Sequence, residues 1–226
     1  MKTTDLKPPL AQPCATIIGL YTGRISARWA GKPPSAIGKT RQDRPLRVST
    51  LGLEGDEQAD PEAHGGPDQA LHHYPADHMK TWQRDIPKLA HIFVPGCFGE
   101  NISSTGFTES NMCIGDILSL GTSFVQITQG RRPCWKLDAH IGHPQMAYHF
   151  RKTARTGWYY RVLEQGEVEP GCLMRVLDRP LPEWSVFDVT TARFAARLDP
   201  GVADQLANLP HLSDLWRRHF AKMQDG

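Results

Sequence analysis

The sequence predicts an α+β fold: a barrel-like, strongly bent β-sheet over residues 1–180, interrupted by helices, then a three-helix appendage over residues 187–226. Three observations predict it. Short apolar runs end repeatedly at Gly or Pro, as many short strands in a barrel would. Two segments that open on Pro carry apolar residues at helical spacing. From Asp188 onward the pattern is helical throughout.

Taken in chain order, Ala15 to Tyr21 is an apolar run ending at Gly23, and Leu46 to Leu51 is another, closed by Gly52. Pro75 to Arg84 reads as a helix with Met79 and Trp82 on one side. His91 to Val94 reads as a short strand before the turn signal Pro95-Gly96. The clearest hairpin joins Asp116–Leu120 to Phe124–Thr128 across Gly121-Thr122-Ser123. Pro144 to Thr153 reads as a helix with Met146, Ala147 and Phe150 on one face, and Gly171 to Leu177 as a further strand. Beyond the linker Pro180-Leu181-Pro182, Asp188 caps a helix that ends before Pro200. Val202 to Leu206 forms a second, and Ser213 caps a third carrying Leu215, Trp216, Phe220 and Met223.

Composition narrows the function classes. A formal net charge of +2 over 226 residues is too small to argue for a nucleic acid or an anionic membrane surface. No apolar stretch has the length of a membrane-spanning helix. Met1 to Cys14 carries Lys2, Asp5 and Lys7, unlike the apolar core of a secretory signal, so a cytoplasmic location is expected. The five cysteines are widely spaced, with no Cys-x-x-Cys, which disfavours a disulfide framework, a cysteine zinc site or an iron–sulfur module.

Four segments are dense in chemistry. Gly52-Leu53-Glu54-Gly55-Asp56, with Asp60, His64 and Asp68 following, pairs glycines that bring backbone N–H groups close to a ligand with flanking acids; a surface loop with capping acids reads the same way. His72-His73-Tyr74-Pro75 offers imidazoles near carboxylates, though without a recognised metal-ligand spacing. Phe98-Gly99-Glu100-Asn101 offers an acid and an amide that can orient a heteroaromatic ring, or a capped turn. Arg131-Arg132-Pro133-Cys134-Trp135-Lys136 sets three cations around one thiol at a strand end. Cations favour the thiolate, which ligates soft metals, and arginines suit phosphate. A buried packing cysteine with solvated charges is the plainer alternative.

In their order and spacing, these strings together with Gly157-Trp158-Tyr159 resemble the MOSC family, named for the C-terminal domain of molybdenum cofactor sulfurase, and its YiiM-like branch. The terminal helices resemble the three-helix extension of that branch. The resemblance implies a β-barrel-like fold that binds a pyranopterin molybdenum cofactor, with Cys134 as the metal ligand and catalytic residue. It also implies reduction of N-hydroxylated compounds, such as N-hydroxylated purine bases, with electrons from an external flavoprotein reductase. His64, Asp68, His73, Glu100, Asn101, Arg131, Arg132 and Lys136 are the candidates to hold cofactor or substrate. Arg131-Arg132 and the polar Asp138-Ala139-His140-Ile141 depart from the family pattern and leave substrate choice open. Three rivals stand beside this reading. They are a non-enzymatic cofactor or sulfur carrier using Cys134, a metal-dependent hydrolase built on Asp56, Asp60, His64, His72 and His73, and a silent domain that docks a partner through Trp135.

Overall fold

The computed structural model describes residues 13–61 and 65–223. The strands are β1 (Cys14–Thr22), β2 (Thr40–Gln42), β3 (Leu46–Ser49), β4 (Gly52–Leu53), β5 (Leu71–Pro75), β6 (Ile102–Thr105), β7 (Ile117–Leu120), β8 (Ser123–Gly130), β9 (Trp158–Glu164), β10 (Gly166–Val168) and β11 (Leu173–Asp178). The helices among the described residues are α1 (Met79–Asp85), α2 (Trp135–Ile141), α3 (Met146–Thr153), α4 (Val186–Phe194), α5 (Pro200–Ala207) and α6 (Asp214–Ala221). None of the helices is long and apolar enough to cross a membrane.

Seven strands in the order β11-β7-β8-β9-β5-β6-β1 close into a barrel through antiparallel pairing of β1 with β11, and β2 adds to β1. β5 and β6 run parallel; the other barrel pairs run antiparallel. A separate small sheet pairs β10 with β3 and β3 with β4. The expected hairpin is β7–β8, but Ser123 already pairs with Leu120, so the turn is only Gly121-Thr122. Gly121 has φ +59°, and a Cβ there would come within 2.0 Å of the Glu167 carbonyl oxygen, so only glycine fits.

Alternation along the strands sorts side chains between two apolar clusters. Leu71 of β5 and Trp158 and Tyr160 of β9 point into the barrel core, with Ile17, Ile102, Leu118 and Ile127. Tyr74 points outward to a second cluster with Met79, Trp82, Phe93, Phe98, Leu137 and Phe150. There Trp82 stacks on Phe150, ring centroids 5.6 Å apart, and its Nε1–H donates to Tyr74 Oη at 2.6 Å. The Arg155 guanidinium covers the Trp82 ring at 3.6 Å. This outer cluster clamps α2 and Phe98 against the barrel wall, which matters for the site below.

The structure departs from sequence expectation at four places. His91 to Val94 is not a strand; Phe93 is apolar because it packs in the outer cluster, not because it pairs. Pro75 closes β5, and the helix begins only at Met79 after a 3-10 turn over Ala76–His78. β2, β5, β6, β9, β10 and α2 are short or have no clear apolar period and were not expected; β5 is buried at every position. The cap of α4 is Ser185, not Asp188: Ser185 Oγ accepts from the Asp188 N–H at 3.0 Å and donates to the Asp188 carboxylate at 2.6 Å. The helix at Asp214–Ala221, capped by Ser213, follows expectation, whereas the one before it runs longer than Val202–Leu206, over Pro200–Ala207 from a cap at Asp199. Val189, Leu206, Trp216 and Phe220 of these helices join the barrel's own core cluster.

His73 lies inside the barrel. Its Nδ1 is 2.9 Å from Tyr160 Oη and its Nε2 is 2.8 Å from Ser104 Oγ. Burial lowers its pKa to about 3. The unfolded chain protonates this ring near pH ~6.5. Between those values the unfolded state binds the extra proton, so the contribution to stability is complete above the upper value and is lost as pH falls. Going from pH ~7 to pH ~5 should cost about 2 kcal/mol through this residue alone. Urea unfolding of a His73→Gln variant should show a pH dependence shallower by that amount; identical slopes would show that the ring titrates normally.

Candidate functional site

A cleft lies against the outer face of the barrel wall, where His72 of β5 and Tyr159 of β9 project. Its remaining walls come from loops: Ser35 to Lys39, Asp56 to Asp60, Gly99 and Asn101, and the segment from Arg131 to Lys136. Cys134 lines the cleft half-buried, in extended conformation (φ −135°, ψ 178°) directly before α2. The sequence placed this thiol in a loop at a strand end, and it stands four residues beyond β8. Pro133 is buried before it, and α2 is anchored by Leu137 and Ile141 in the outer aromatic cluster, so the thiol is held from both sides.

The floor is a hydrogen-bonded knot around Asp56. Its carboxylate accepts from the Gly23 N–H at 2.7 Å, from Asn101 Nδ2 at 2.7 Å and from Lys39 Nζ. Asn101 in turn accepts from the His72 N–H at 3.0 Å and donates to the Tyr21 carbonyl at 3.2 Å. Burial lowers the Lys39 pKa, while the charge of Asp56 opposes that shift. Arg131 is buried, and its guanidinium donates to the Phe98 carbonyl, which the outer cluster fixes.

One buried polar atom of the cleft lacks a partner. Lys136, 9% exposed, lines the cleft beside it. His72 is buried; its Nε2 lies 3.4 Å from the Thr156 carbonyl, which places the N–H on that nitrogen, and its Nδ1 has no partner. Burial, reinforced by the charge of Arg131, holds the His72 pKa well below the ordinary value, so Nδ1 presents a bare lone pair. Buried polar groups are almost always satisfied. A ligand suited to this lining carries an anionic group beside the Lys136 ammonium and an N–H or O–H for His72 Nδ1. That donor set suits a phosphorylated, hydrogen-bonding heterocycle with a soft metal at the thiol, so the residues present fit a molybdenum pterin cofactor.

Of the sequence-stated candidates, Cys134, Asn101, Arg131 and Lys136 come together in the cleft. Asp68, His73, Glu100 and Arg132 do not line it. Asp68 pairs with Arg161 at 2.8 Å and accepts from the Asp214 N–H, tying β9 to α6. His73 follows His72 on a strand and therefore faces the barrel interior. Glu100 is fully buried and accepts from the Gly96 and Phe98 N–H groups and from Ser103 Oγ, shaping the turn whose carbonyl holds Arg131. Arg132 is exposed. His64 and residues 1–12 lie outside the described residues. The hydrolase set is not assembled: among the described residues no three acids, histidines or cysteines are grouped to hold a metal, and His72 and His73 face opposite ways. Lys39 and Gln69 line the cleft without having been singled out. The only hint for Lys39 was its place between Gly38 and Thr40 in a stretch without pattern.

Comparison with known proteins agrees with this architecture. A model of the MOSC domain matches residues 60–175, and one described as YiiM-like, 3-alpha helix domain matches residues 184–223. The chain is 40% identical over 210 residues to Protein YiiM of Escherichia coli (strain K12), covering 91% of each. It is 33% identical over 202 residues to a protein named Reductase from Gibberella moniliformis, spanning 36% of that longer relative and 88% of this chain. The crystal structure of YiiM from Geobacillus stearothermophilus superimposes with a TM-score of 0.79 at 29% identity, covering 93% of this chain and 99% of that one. With its closed barrel and terminal helices, the chain belongs to the MOSC family.

Proposed function

We propose that the protein is a molybdenum-cofactor-dependent reductase of N-hydroxylated compounds, N-hydroxylated purine bases among them, that works in the cytoplasm with electrons from an external flavoprotein. The observation that carries this reading is the cleft whose lining gathers Cys134, Lys136, Arg131 and His72, the last with an unpartnered Nδ1. Membership of the MOSC family and the relative named Reductase support it.

In this reading the Cys134 thiolate holds the metal, and Lys136 with Arg131 neutralises the cofactor phosphate. When bound, the cofactor supplies two-electron redox chemistry. His72 Nδ1 accepts an N–H of the pterin or the substrate and so sets its orientation. Tyr159, its pKa raised mainly by burial, keeps its hydroxyl proton at neutral pH and can donate a hydrogen bond into the cleft. Reduction of an N-hydroxyl group breaks the N–O bond, consumes two electrons and two protons, and releases the amine and water. The chain carries no flavin or iron–sulfur motif, which is why the electrons are assigned to a separate protein.

The test is metal and pterin analysis of protein made in cells able to build the cofactor, followed by assay with a flavoprotein reductase. Molybdenum and pterin in matching amounts are expected, together with consumption of reduced nicotinamide on addition of an N-hydroxylated base. Zinc or manganese without pterin, or loaded protein that leaves the nicotinamide untouched, would overturn the assignment.

A further inference from the structure

Two indoles stand together at the rim of the cleft, beside the segment that carries the thiol. Cys134 and Lys136 both line the cleft, while Trp135 between them is 41% exposed and does not, so it faces outward at the start of α2. Trp29 meets it edge-on, with ring centroids 5.2 Å apart and an interplanar angle of 67°. Trp29 belongs to a loop closed by two backbone hydrogen bonds, from the Ser26 N–H to the Ser35 carbonyl at 3.1 Å and from the Ser35 N–H to the Ser26 carbonyl at 3.0 Å. At the tip of this loop the Lys32 N–H donates to the Trp29 carbonyl at 3.2 Å. The same loop runs on into Ser35, Ala36, Ile37 and Lys39, which line the cleft.

The charge carried by these two segments has one sign. Lys32 Nζ lies 5.7 Å from the centre of the Trp135 ring, and the Arg28 guanidinium lies 5.9 Å from that of Trp29. Both cationic residues are exposed. No acid occurs between Thr22 and Gln42 or between Arg131 and Leu137, although the whole chain carries a formal net charge of only +2. Asp56 and Glu57, which reach in from a third loop, are engaged by Lys39 and Arg24. Tryptophan and arginine dominate the residues that carry binding energy in protein interfaces, and side chains held in place beforehand lose little freedom on docking. Border charges of one sign speed encounter with a partner of the other.

We propose that an acidic flavoprotein electron donor docks on this rim, with Trp29 and Trp135 as the apolar centre of the contact and Arg28 and Lys32 as its charged border. This docking rests on the reductase reading above, which assigns the electrons to a separate protein but gives that protein no surface. A flavin hydroquinone gives up two electrons and two protons, which balances cleavage of one N–O bond to amine and water. The patch is small, as suits a redox encounter that must release after each transfer. Residue 135 is bonded directly to residue 134, so a partner seated on this indole lies beside the thiol while the cleft lining remains for cofactor and substrate.

Calorimetric titration with flavodoxin, a small acidic flavoprotein, tests the surface without depending on turnover. Saturable binding is expected at ~0.01 M salt and should weaken at ~0.15 M, where the screening length falls from about 30 Å to about 8 Å. Reversing the border charges, Arg28→Glu with Lys32→Glu, should weaken the low-salt binding by at least roughly tenfold. Trp29→Ala, which leaves the segment around Cys134 untouched, should weaken it by about tenfold and serves if the double variant does not fold. Loaded with cofactor, the same variants should lose turnover with flavodoxin as donor and keep it with reduced methyl viologen, a small cation that needs no docking surface. Binding through this face without turnover from either donor would support the docking surface and sink the reductase reading. No flavodoxin binding, binding unmoved by both changes, or equal loss of turnover with both donors would overturn the docking surface itself.

Discussion

A Cys134→Ser variant should fold normally yet lose reductase activity by more than roughly a hundredfold. Changes to residues that merely support a metal ligand already cost about 10–100-fold, and on the function proposed above this change would remove the ligand itself. The thiol is half-buried in a wall of the cleft and contributes to neither apolar cluster, so its replacement by a hydroxyl of similar size leaves packing intact. Unfolding midpoints and turnover should be measured on the same preparation, with pterin content alongside. Retained pterin with lost turnover separates catalysis from simple carriage of the cofactor by this thiol. Near-normal turnover in the serine variant would remove Cys134 from the chemistry.

The second large effect concerns the floor of the cleft. Asp56→Ala should destabilise the protein by about 3–5 kcal/mol, the range for breaking a buried ion pair from one side. Lys39 and Asp56 are 8% and 6% exposed at the side chain, and the carboxylate also accepts from the Gly23 N–H and from Asn101. The change therefore strands an ammonium, a main-chain donor and an amide together. Replacing both partners by apolar residues, Lys39→Met with Asp56→Leu, should recover much of the loss, since removal of both charges leaves none stranded. Urea unfolding of the single and double variants measures this. A single variant within about 1 kcal/mol of the parent would mean that the pair is solvated and the floor less rigid than described.

Much of this could be read before the structure, for identifiable reasons. Hairpin β7–β8 and the capped helix α6 announce themselves through local chemistry: a glycine turn, and Ser213 before an amphipathic run. The place of Cys134 in a loop past a strand end was legible because a strand-like run and a proline precede it in the sequence. By contrast, β5 has histidines at its centre and is buried on both faces, so no alternation marks it. Lys39 was invisible because its role depends on Asp56, seventeen residues away, and nothing nearby in sequence records that contact. Glu100 and Asp68 were rightly seen as unusual, but each carboxylate is used to fix backbone or a neighbouring strand and not to face the cleft. Charge on Arg132 was assigned to the thiol by adjacency, yet its side chain is exposed and does not line the cleft.

The placement of two adjacent imidazoles on opposite sides of β5 has one more consequence. Side chains alternate with a period of two, so a slip of β5 by a single residue against β6 and β9 would exchange them. The ring sealed inside the barrel would emerge at the wall, and the one that now offers a lone pair would be entombed. Binding chemistry here is thus a question of strand register, and the parallel partner on one side with the antiparallel partner on the other act as the two stops that prevent the slide.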